Sequence, residues 1–196
     1  MLELDPPQLK DALRCILNTI LFHRSLGASV APKELESESF DGVLYVAVDD
    51  SATQRSIESF IDKLYQKAVK TAEFKTTVGL QFYLTRSKPS WFSSTVEEKF
   101  VWERWNLPVV VSKSKSRTMA EQEQKMAARG QTLKNRLTAV VELVVAKKDH
   151  IPSINKQQAC FPFEFTLDAD EKSSSWNLSS ITSMLKQGPP LLLRES

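Results

Sequence analysis

Apolar residues recur at three- and four-residue steps along three stretches of this chain and cluster or alternate along several others. Leu9, Ala12, Leu13, Ile16, Leu17, Ile20 and Leu21 share one helical face. The preceding Asp-Pro-Pro sets prolines in the first turn, and Gly27 can end the helix. Residues 28–42, with Glu34, Glu36 and Glu38, are polar and proline-containing and predict a loop; "GVLYVAV", 42–48, predicts a strand. Capping residues at 49–51 open a second helix over about 51–72, where Ile57, Phe60, Ile61, Leu64, Tyr65 and Ala68 keep helical spacing.

Branched and aromatic residues predict strands at 76–85 and 106–112. Between them, "EEKFVWERW" (97–105) reads as an extended segment in which Phe100, Trp102 and Arg104 alternate. A third helix starts near Thr118 and stops before Pro152, with a stripe of Leu133, Leu137, Val140, Val141 and Val144; Gly130 weakens its middle by about 1 kcal/mol relative to alanine. Phe161, Phe163, Phe165 and Leu167 then alternate as a strand with one buried face, and "NLSSITSMLK" predicts a short helix before Gly-Pro-Pro. The order α-β-α-β-β-α-β is too irregular for a doubly wound sheet. It predicts an α+β domain, three main helices packed on a mainly antiparallel sheet.

Composition sets limits on function. With 196 residues, 41% apolar and 26% charged, the chain suits one well-packed domain. A net charge of +2 gives no global attraction to nucleic acid or anionic membrane. The two cysteines, Cys15 and Cys160, do not suggest a disulfide framework, and neither a membrane span nor a signal peptide is legible, so a reducing cytosolic setting is expected. No Gly-rich phosphate loop occurs, His23 and His150 lie far apart, and no Cys/His spacing suggests zinc. Neither cofactor nor metal is expected. Cys15, on the apolar face of the first helix, reads as a buried structural thiol; a hydrolase using Cys15 or Cys160 as nucleophile has no supporting motif.

Two local features stand out. Lys113, Lys115, Arg117, Lys125, Arg129, Lys134 and Arg136 make 113–136 basic, which fits a solvated helix face, a charged partner surface, or contact with lipid or nucleic acid; interleaved aromatics that favour nucleic acid are lacking. In "RSKPSWFSS" (86–94), Trp91 and Phe92 stand together among basic and small polar residues. Either the rings fold back as a satellite of the core, or they form an exposed finger for a partner. Pro89 and its neighbours break helical and strand periodicity, which favours exposure.

Several segments together are similar to one family. "CILNTILFHRSLG" (15–27), "LQFYLTRSKPSWFSS" (80–94), "VWERWNLPVVV" (101–111) and "DHIPSIN" (149–155) resemble the autophagy-related protein 101 family, in the order of its HORMA domain. The resemblance implies a HORMA domain over 1–170 and a C-terminal tail over 171–196. It also implies a non-catalytic adaptor that pairs with and stabilises the HORMA domain of autophagy-related protein 13 in the autophagy-initiating kinase complex, in the cytoplasm and at the preautophagosomal structure. Carried over, the family's finger for downstream autophagy factors falls on Trp91 and Phe92, here adjacent and preceded by Pro89 rather than separated by a proline. Contact with the partner HORMA domain is expected from His23, Arg24, Arg129, Leu133, Lys134 and Arg136; capping of the first helix is the alternative for His23 and Arg24. No nucleic acid is expected as a partner, and membrane contact is at most peripheral. The alternative function is a lipid- or nucleic-acid-contacting module built on 113–136.

Overall fold

A computed structural model describes residues 2–25, 31–88, 96–113, 118–153 and 160–167. In chain order these form β1 (Leu2–Leu4), α1 (Pro6–Arg24), β2 (Pro32–Glu36), β3 (Leu44–Val48), α2 (Ser51–Ala68), β4 (Glu73–Lys88), β5 (Val96–Ser112), α3 (Met119–Ala146) and β6 (Phe163–Leu167). The three helices pack on a mainly antiparallel sheet of order β1-β5-β4-β6, beside a two-stranded ribbon of β2 and β3. This is the α+β arrangement expected. The proposed boundary at 170 and the short helix of the tail lie outside the described residues.

Helix α1 is the hub. It packs against β3, α2 and α3, and Leu9, Leu13, Leu17 and Ile20 are wholly buried. Being covered on several sides, it also buries polar groups, each of which therefore has a partner. Asp11 accepts from the Ser39 amide at 2.8 Å and from Ser37 Oγ, pinning the turn that leads into β3. Gly42 supplies the left-handed step in that turn, at φ 62°.

The structure departs from the sequence reading at five points. Residues 32–36 are not loop: they form β2, whose polar sequence reflects an exposed edge strand with Pro32 at its first position. β1 was invisible because three residues show no period; it pairs parallel to β5, Leu2 opposite Val109. Helix α2 ends at Ala68 rather than 72, and Val141 leaves the buried stripe of α3. The fifth difference is a β-bulge. Phe82 of β4 lies opposite Glu103 but Tyr83 lies opposite Val101, so Trp102 is an extra residue in β5. A bulge directs neighbouring side chains to one side of a sheet. Trp102 and Glu103 accordingly meet the same residue, His150, while Arg104 turns to the opposite face and donates to Gln81 Oε1 at 2.7 Å.

Candidate functional site

The bulge builds a buried polar centre. Glu103 follows the inner face defined by Val78, Leu80 and Phe82, where an unpaired carboxylate is costly. Arg24, at the end of α1 and 2% exposed, answers it with two bonds from Nε, at 3.0 and 2.8 Å to the two carboxylate oxygens. The remaining guanidinium nitrogens donate to the carbonyls of Val144 at 3.3 Å and Lys147 at 3.2 Å. Arg24 thus caps the C-terminus of α3, not that of its own helix, where a cation also suits the helix dipole. Trp105 Nε1 donates to Glu103, and His150 Nε2 donates to it at 2.9 Å. Three segments distant in sequence, the end of α1, β5 and residues 144–150, meet around this ion pair.

His23 stays local. Its Nδ1 donates to the Thr19 carbonyl at 2.7 Å, and its ring meets Phe22 edge-on. Arg129 of α3 reaches across to the start of α1, pairing with Asp5 and donating to Gln8 Oε1 at 3.0 Å, while Gln8 accepts the Asp5 amide at 3.1 Å. Leu133 is wholly buried, whereas Lys134 and Arg136 are exposed. Lys134 lies beside Gly42, and Arg136 rims an apolar cleft.

That cleft, about 200 Å³, runs between α3 and the edge of β5, with Ala139 and Leu143 on one side and Trp105, Leu107 and Pro108 on the other. It arises because β1 covers only Val109–Val111 of β5. On α3 the core stripe of Leu133, Leu137, Val140 and Val144 has two flanks. Arg136, Ala139 and Leu143 follow one; Lys134, Val141 and Val145 follow the other. Leu143 is 43% exposed, Val141 38% and Val145 60%. The helix therefore presents apolar side chains outside its own core on both sides.

Strands β4 and β5 pair from Glu73 opposite Ser112 out to Lys88 opposite Val96. Residues 89–95 connect them, and Trp91 and Phe92 within that connection lie outside the described residues. The cysteines offer little chemistry. Cys15 is wholly buried, and burial, reinforced by the Asp11 charge, pushes its thiol up to about 12. Cys160 Sγ meets Ser25 Oγ at 3.0 Å. Among the described residues no group of three or more His, Cys, Asp or Glu could hold a metal ion, and no helix is long and apolar enough to cross a membrane.

Sequence reasoning named Arg24 but not its partners. Glu103, Trp105 and His150 are up to 126 residues from it, counting from Arg24 to His150, and nothing in a single sequence pairs them. The exposed positions of α3 were nearer to hand: Val145 lies eleven residues, about three turns, beyond Lys134 on one flank.

Comparison with known proteins agrees with the resemblance. Residues 1–158 match the sequence model of a family described as Autophagy-related protein 101. Over 209 aligned positions the chain is 31% identical to "Autophagy-related protein 101" of Arabidopsis thaliana, covering 98% of this chain and 95% of that relative.

Proposed function

The chain belongs to the autophagy-related protein 101 family, and on that premise we propose that it is a non-catalytic HORMA adaptor of the autophagy-initiation complex. In this reading it pairs one-to-one with the HORMA domain of autophagy-related protein 13 and stabilises it within the kinase complex. Trp91 and Phe92 then recruit downstream factors, in the cytoplasm and at the preautophagosomal structure.

The observation that carries the reading is the surface of α3. This 28-residue helix buries only four side chains, and it leaves Val141, Leu143 and Val145 exposed beside Lys134 and Arg136. Each flank of the helix thus pairs exposed apolar side chains with a basic residue, the composition of a protein interface. Leu133, Arg24 and Arg129 support that surface from beneath, through the core, the α3 C-terminus and the α1 N-terminus. Lys134 and Arg136 supply its charged rim, and His23 flanks the Arg24 centre. A lipid- or nucleic-acid-binding stripe draws less support, because Arg129 is engaged by Asp5 within the chain.

The test is co-purification with the HORMA domain of autophagy-related protein 13 from the same source, read by size exclusion with light scattering. A one-to-one complex is expected, lost when Leu143→Asp is combined with Val145→Asp. Trp91→Ala with Phe92→Ala leaves that complex and the melting temperature intact but removes binding of downstream factors. Two well-folded monomers at micromolar concentration would overturn the pairing.

A further inference from the structure

Helix α2 sorts its charges by flank. Its core stripe of Ile57, Ile61, Leu64 and Ala68 has an acidic flank towards α1 and a basic flank towards β6. The acidic flank is satisfied within the chain. Arg14 donates to the two oxygens of Glu58 at 2.5 and 2.7 Å, and Lys10 Nζ meets Asp62 at 2.6 Å while lying over the Tyr65 ring. The basic flank carries Lys63 and Lys67, with Lys70 just past the helix end, all exposed and in line with Phe60. None of these three ammonium groups has an ion-pair partner among the described residues.

The lysines border a cleft of about 630 Å³ between α2 and β6. Its floor is apolar. Phe60 stacks on Phe165 at 4.5 Å between ring centres and 21° between planes, and the buried Leu64 and Leu167 lie beside them. Rings stacked on each other keep mainly their edges for a ligand, and the edge is the positive part of the aromatic quadrupole, so the floor too favours an anion over a cation. Asp62 also borders the cleft, but Lys10 holds it. Lys63 and Lys67 stand about 6 Å apart along the helix axis. Carboxylates at alternate positions of an extended chain are about 6.8 Å apart, a difference that flexible lysine stems absorb.

We propose that this cleft docks an acidic segment of a partner protein, with carboxylates on Lys63, Lys67 and Lys70 and an apolar side chain on the floor of Phe60 and Phe165. A recessed floor suits a segment that can enter it rather than a flat bilayer, and rings already stacked on each other offer little face to a nucleic-acid base. The site is separate from the α3 surface. Along the sheet order β1-β5-β4-β6, α3 lies against β1 and borders its cleft with β5, whereas α2 lies against β4 and β6, and α1 packs between the two helices. A partner in the α2 cleft and another on α3 can therefore bind at once, and the inference holds whatever the α3 partner is.

The test uses the full chain and a fluorescein-labelled peptide in which aspartate and leucine alternate, read by fluorescence anisotropy. Saturable binding is expected, and raising salt to about 0.5 M should weaken it. Lys63→Glu combined with Lys67→Glu should weaken it about tenfold, because two exposed attractions become repulsions. The melting temperature should not change, since both positions are at the surface. A peptide with lysine in place of aspartate should be refused by the wild type and bind the double variant. Leu143→Asp with Val145→Asp should leave acidic-peptide binding intact, so that failure of this site and failure of the α3 surface read separately. No binding at about 1 mM peptide, affinity indifferent to the double variant, or a preference for phosphatidylserine vesicles would overturn the proposal. So would carbodiimide coupling of Lys63 or Lys67, without peptide, to a distant carboxylate of the same chain or of a second copy.

Discussion

Replacing Arg24 by methionine separates a buried structural role from a surface one. The substitution keeps much of the aliphatic stem but removes both bonds to Glu103 and those to the Val144 and Lys147 carbonyls. Removing one partner of a buried ion pair costs about 3–5 kcal/mol, mainly because the other charge stays buried without its counterion. Glu103 retains Trp105 Nε1 and His150 Nε2 as donors, which places the expected loss near the lower end, about 3 kcal/mol. For a domain stable by about 5–15 kcal/mol that is a large fraction. Urea unfolding at constant m-value reads it as a drop in midpoint. Adding Glu103→Leu to Arg24→Met should recover most of the loss, since buried ion pairs replaced by apolar groups are often neutral or better. A single-mutant cost below about 1 kcal/mol, or a double mutant as unstable as the sum of the singles, would refute the buried-pair account. The guanidinium would then be available for a partner, as the family resemblance allows.

Other substitutions probe separate parts of the fold. Asp50 caps α2 by accepting the Thr53 amide at 2.7 Å, and hydrogen bonding from Thr53 lowers its carboxyl pKa. Because the folded-state value is depressed, this stability is present above the unfolded carboxyl pKa of about 3.9 and is lost as pH falls through the folded value. Asp50→Ala should cost about 1 kcal/mol at pH 7, with the gap from wild type closing in acid; a gap independent of pH would contradict it. Gly79 lies where an added Cβ would clash with Thr166 Oγ1. Gly79→Ala should therefore destabilise by about 1–3 kcal/mol, and Thr166→Ala on that background should recover much of it in the same unfolding assay. In the folded protein an alkylating reagent at pH 8 should modify Cys160 and spare Cys15, whose thiol is buried and pushed up to about 12. Equal labelling of both by mass spectrometry would place Cys15 outside the core.

Local periodicity was enough for the helices and the long strands. Leu9 to Leu21 fix α1 because side chains at three- and four-residue steps must bury together, and Asp50 and Thr118 mark helix starts through a side-chain oxygen that accepts the first free amides. The same logic missed β2, since an exposed edge strand need carry no apolar alternation, and β1, since three residues are too few for a period. Trp91 and Phe92 were conspicuous in the sequence for their neighbours alone.

The tertiary structure decided what the polar residues do. In sequence Arg24 and Arg129 were members of a basic helix end and a basic stretch, indistinguishable from Lys134 or Arg136. Folding gives Arg24 to Glu103 and Arg129 to Asp5, and leaves Lys134 and Arg136 at the surface. The physical reason is that burial of apolar surface depends on composition and spacing within one segment, whereas a charge is satisfied by whichever opposite group the topology brings within about 3 Å. Here a single extra residue in β5 turns Glu103 inward and so selects its partner 79 residues away.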